Sequence, residues 1–106
     1  MYLNRIQTDD YIVSITMDSF TSNYDWYNPP QTETFTYMTV NMTRFTGPMK
    51  TNPHRMTLFD KYTRSDDAVS VFELYTEAWD EFLKACQFCD VSPVSDGTCA
   101  NVSIGA

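Results

Sequence analysis

Between Tyr11 and Phe20 apolar and polar side chains alternate: Tyr11, Val13, Ile15 and Met17 fall on one side, Ile12, Ser14, Thr16 and Asp18 on the other. A period of two is that of a half-buried strand. From Glu33 to Phe45 the content of β-branched and aromatic residues stays high, with Phe35, Tyr37 and Phe45 on one side and Met38, Val40 and Met42 on the other. This pattern predicts a long central strand, covered on one face and in part on the other. A short third strand is predicted over Arg55 to Tyr62, with Met56, Leu58 and Tyr62 sharing a side. Thr21 to Thr32 holds Asn23, Asn28, Pro29 and Pro30 and reads as a long hairpin loop. Gly47-Pro48 and Asn52-Pro53 punctuate a second loop.

Beyond Ser65 the period changes. Ala68, Val71, Phe72, Tyr75, Ala78, Trp79, Phe82, Leu83 and Cys86 recur at intervals of three and four, while Glu73, Thr76, Glu77, Asp80, Glu81, Lys84 and Gln87 fill the other side. That is an amphipathic helix over about 66–87. Ser65 or Asp66 can cap it, Asp66 and Asp67 suit the positive end of its dipole, and Asp80 precedes Lys84 by one turn. Its stripe must be buried, with Phe72, Trp79, Phe82 and Leu83 each contributing about 1.5–3 kcal/mol of gross driving force. The expected fold is therefore α+β: one domain over 1–106, with a small antiparallel sheet of three to five strands and the helix packed on one face.

Composition supports folding and narrows function. With 42% hydrophobic and 15% aromatic residues the chain has enough apolar surface to offset its conformational entropy. No apolar run approaches the roughly 18–20 residues of a membrane span, and Met1 leads into Tyr2, Leu3, Asn4 and Arg5 without a hydrophobic leader. A cytoplasmic protein is expected, in the host cell if it is virus-encoded, so the acceptor patterns at Asn41 and Asn101 are read as chance. The net charge of −7 argues against direct nucleic-acid or anionic-membrane binding. It is unevenly spread: Arg44 to Arg64 holds five basic residues against Asp60, whereas Ser65 onward holds eight acids against Lys84.

Chemistry-bearing motifs are few. Cys86-Gln87-Phe88-Cys89, with Cys99 and the single histidine His54, could supply four zinc donors. Cys86 falls on the apolar stripe, however, and no second pair exists, so the thiols are read as packing residues and neither metal nor cofactor is expected. A redox role is disfavoured because the pair sits at the wrong end of the helix for its dipole to lower a thiol pKa. No glycine-rich phosphate loop and no nucleophile with an adjacent base can be composed from these residues.

Two surface features remain. Tyr24, Trp26 and Tyr27 lie in a loop whose aromatic and amide composition suits recognition. Glu73, Glu77, Asp80 and Glu81 form an acidic row about one turn apart that could imitate a nucleic-acid backbone in a basic groove. The expectation is a small acidic, non-enzymatic interaction protein. It would be an inhibitor or accessory factor of the kind that phages and plasmids encode, blocking a nucleic-acid-binding protein. Its alternatives are a self-associating subunit, in which the basic middle of one copy meets the acidic helix of the next, and a small zinc or redox protein. A monomer or weak homodimer fits the first expectation.

Overall fold

A computed structural model describes residues 1–93. Strands β1 (Tyr2–Gln7), β2 (Tyr11–Tyr24), β3 (Gln31–Thr46) and β4 (Asn52–Arg64) form one antiparallel sheet in chain order, and helix α1 (Ala68–Phe88) lies across one face of it. The α+β architecture expected from the periodicities is present. Val13 pairs with Met42, Ile15 with Val40 and Met17 with Met38, so the odd positions of β2 and the even positions of β3 share the helix-facing side. Phe59 joins them from β4 and Ile6 from β1. Against these pack Leu74, Ala78, Phe82, Ala85, Cys86 and Cys89.

The elements are longer and more numerous than their local signals. The segment 2–7 contains only Leu3 and Ile6 as aliphatic residues, and it forms a strand because β2 offers it an edge. The loop expected over Thr21 to Thr32 is mostly ladder: β2 and β3 stay paired out to Tyr24 and Gln31, and only 25–30 turn, around a cis Asn28-Pro29 bond. The second loop shrinks to a short 3-10 turn, Pro48–Lys50, entered through Gly47 at φ 82°, the left-handed region that favours glycine. In β4 a register shift at Val40/Asn41 breaks the alternation. Met56 therefore lies opposite Met42 and Tyr62 opposite Tyr37, on different faces, and not on one shared side as the spacing implied.

The helix is rotated relative to the predicted stripe. Its cap is Asp67, not Ser65 or Asp66; the Asp67 carboxylate accepts from the Ser70 N–H at 3.1 Å, and those bonds hold the Asp67 carboxyl below its usual range. Phe82 is fully buried, but Phe72 is 68% exposed and Leu83 46%, and Trp79 is only half-buried. The buried line runs instead through Leu74, Ala78, Phe82, Ala85 and Cys86, where two alanines let the helix approach the sheet. The small residues mark the contact, and the larger ones at Phe72 and Leu83 flank it. At the far end the Asn4 amide donates to the Pro93 carbonyl at 2.8 Å, tying the chain that leaves the helix to β1. The Asp80–Lys84 pair forms as expected, at 3.2 Å.

Phe82→Ala should cost about 3–5 kcal/mol in chemical denaturation, the range for a large aromatic removed from a packed core. Phe88→Ala, at a position open to solvent, should stay within about 0.5 kcal/mol. Equal losses at the two positions would show that the helix packs on the sheet by another face.

Candidate partner-binding site

A helix of 21 residues is about 32 Å long, whereas 16 residues of strand reach about 53 Å. The tip of the β2–β3 hairpin therefore projects beyond α1, and the molecule measures 58 × 32 × 20 Å. Along this projection the hydrophobic alternation changes phase. Val13, Ile15 and Met17 give way to Ser19, Thr21 and Asn23 on the helix side, while Ser14, Thr16 and Asp18 give way to Phe20, Ser22 and Tyr24 on the open side. Past the reach of the helix, the apolar side chains turn to the uncovered face.

There they form two groups. Phe20 and Phe35, paired across the ladder, stack with centroids 5.1 Å apart, and Tyr62 meets both edge-on at 5.7 and 5.5 Å. Tyr37 closes the group at 5.8 Å from Phe20. At the tip Tyr24 contacts Trp26 at 5.2 Å and Tyr27 at 6.1 Å. Edge-to-face geometry of this kind stabilises a cluster while leaving ring surface open, and Trp26 is 74% and Tyr62 63% exposed. Partial burial, and then the Glu33 carboxylate, raise the Tyr24 phenol above its ordinary pKa. Arg64 bridges Glu33 and Asp66 at 3.2 and 3.3 Å, fastening the distal part of the hairpin to the turn before the helix. The predicted Tyr24, Trp26 and Tyr27 are thus brought together. Phe20, Phe35, Tyr37 and Tyr62 extend the surface and were not anticipated as a site, although the phase change at Asp18 marks them in the sequence.

Glu73, Glu77, Asp80 and Glu81 lie on the side of α1 away from the core, as their spacing predicts. Their charges are not all available. Lys61 of β4 reaches Glu77 at 3.1 Å, and Lys84 binds Asp80 and Glu81 at 3.2 and 3.5 Å. These lysines neutralise half of the row. The basic middle segment and the acidic helix therefore already meet within one chain.

Cys86 and Cys89 are free and buried, and Cys89 Sγ lies 3.3 Å from Met42 Sδ. Burial and then the neighbouring Cys89 push the Cys86 thiol up to about 12, and burial raises Cys89. Both effects oppose thiolate formation. His54 stands opposite Arg44, near the turn between β3 and β4. Among the described residues no group of His, Cys, Asp or Glu is arranged to hold a metal ion, and Cys99 and Asn101 lie outside them. No described helix is long and apolar enough to cross a membrane. Compared with known protein families, curated proteins and solved structures, the chain matches none.

Cys86 and Cys89 should stay unmodified by a thiol reagent at pH 8 in the native protein and react fully once it is unfolded, as mapped by mass spectrometry. Because the folded thiols hold their protons more tightly, their contribution to stability is complete below about pH 8.5 and declines as pH rises toward 12. Cys86→Ala should remove part of that alkaline decline. Rapid native modification of Cys86 would contradict the packing described.

Proposed function

We propose that this chain is a non-enzymatic interaction protein that grips a protein partner with the open face of its β2–β3 hairpin. One observation carries the proposal: seven aromatic rings form two groups, Phe20, Phe35, Tyr37 and Tyr62 on the sheet face that the helix does not cover and Tyr24, Trp26 and Tyr27 at the tip of the hairpin. Desolvated Tyr and Trp side chains dominate the energetics of protein interfaces because they bury large areas at a small entropic cost. Paired strands hold five of these rings, and Trp26 and Tyr27 in the turn lean on Tyr24, so little ordering is left to the moment of binding. The net charge of −7 favours a partner surface of positive sign, which would speed encounter.

A second proposal keeps the acidic row as a mimic of a nucleic-acid backbone, the role suited to an inhibitor of a nucleic-acid-binding protein. Its support is the shared outward direction of Glu73, Glu77, Asp80 and Glu81, and it is weakened by the lysines that pair with three of them. We rank it below the hairpin.

Photo-cross-linking from positions 26 and 62, and separately from position 73, in extract of the native host distinguishes the two. The hairpin proposal expects a protein adduct from the first pair. With that partner purified, Trp26→Ala or Tyr27→Ala should raise the dissociation rate about thirtyfold, the effect of losing about 2 kcal/mol at a hot spot. Reversing the four acids to lysine should mainly slow association. Adducts from position 73 alone, with competition by nucleic acid, would transfer the function to the helix.

A further inference from the structure

The side of the molecule facing β1 and β2 carries uncovered surface of two kinds. The Met1 carbonyl accepts from the Met17 N–H at 2.9 Å, and no described strand pairs with that edge of β2 from Asp18 to Tyr24. Backbone direction alternates along a strand, so Ser19, Thr21 and Asn23, which share the parity of Met17, point their N–H and C=O outward there. The segment has no proline, lysine or bulge, the usual devices that blunt an edge. Alongside it, the flank of α1 opposite the Lys61–Glu77 pair exposes Phe72, Tyr75 and Leu83. An apolar groove of about 470 Å³ opens between Thr36 and Phe72.

We propose that a second copy of this chain covers this side, β2 pairing antiparallel with β2 about a two-fold axis through Thr21. Length fits: Asp18–Tyr24, the stretch of β2 that no described strand covers, pairs with itself from end to end and stops at the turn that begins with Asp25. Charge fits as well. Asp18 is the only charged residue of the segment and is bound to the Met1 ammonium at 2.7 Å, so self-pairing sets no bare like charges together. The outward acids Glu73 and Asp80 belong to the solvent side of the helix. On the helix-facing side Thr21 meets its own copy and Ser19 meets Asn23 of the partner subunit, small groups that allow close approach. The two helices come to lie on one face of a continuous sheet, with Phe72 and Tyr75 turned toward the axis. This contact leaves the aromatic face open and does not depend on what that face binds.

Sedimentation equilibrium of the full chain should show a concentration-dependent dimer. Thr21→Pro deletes an outward N–H that has no bond within the chain, and by symmetry it acts at both copies, so the dimer dissociation constant should rise about thirtyfold while circular dichroism is unchanged. Phe72→Asp should act in the same direction from the helix, and Tyr62→Ala should leave the dimer intact. In a Cys99→Ser background, Thr21→Cys should cross-link chain to chain on oxidation, because hydrogen-bonded partners sit about 5.5 Å apart at Cα, a spacing that suits a disulfide. A monomer up to the highest soluble concentration overturns the proposal. So does a dimer that neither weakens with Thr21→Pro nor cross-links through position 21.

Discussion

Contact between the alanine-lined side of α1 and the inward positions of β2, β3 and β4 is what the rest of the molecule depends on. Phe82 and Cys86 are fully enclosed by it, with Val13, Ile15, Met38 and Val40 on the sheet side. One helix is the only cover this sheet has among the described residues, and it is shorter than β2, β3 and β4 beneath it. That mismatch divides the sheet into a packed region and a projecting one. The packed region obeys ordinary half-buried alternation. In the projection the same alternation inverts, because apolar groups on the helix side would find no partner there, whereas on the open face cross-strand rings cover one another.

Much of this was legible in the sequence. The α+β class, the helix over roughly its true span, and the inward face of β2 follow from periodicity, as at Val13 and Ile15, whereas β3 carries apolar groups on both faces and only the packing of α1 selects Met38, Val40 and Met42 as its inward set. What failed has physical causes. β1 carries little pattern because its strand character is conferred by pairing with β2. The distal hairpin reads as loop in the sequence because Asn23, Asn28, Pro29 and Pro30 are turn formers, although only the last three sit in the turn. The spacing centres the helix stripe on its bulkiest residues, yet close packing selects the side with Ala78 and Ala85 and leaves Phe72 and Leu83 on the flank.

The candidate site was half legible for a related reason. Tyr24, Trp26 and Tyr27 were recognised by residue type, but the company of Phe20, Phe35, Tyr37 and Tyr62 depends on register between three strands. The acidic row faces outward as its spacing predicts, but that spacing shows only Lys84 as a partner and not Lys61, which arrives from β4. Exposed ion pairs of this kind contribute little to stability. Their effect here is on the field the helix presents, which is weaker than the count of carboxylates suggests.

The register shift that breaks β4 at Val40/Asn41 has a bearing on solubility. A strand distorted there, opened by Pro53 and studded with Arg55, Lys61 and Arg64, makes a poor template for a further chain. Endless fibrous growth needs two receptive margins, one to accept and one to offer. With one margin spoiled by the shift, the proline and the charges together, molecules that join through the other margin close on themselves as a pair instead of adding without end.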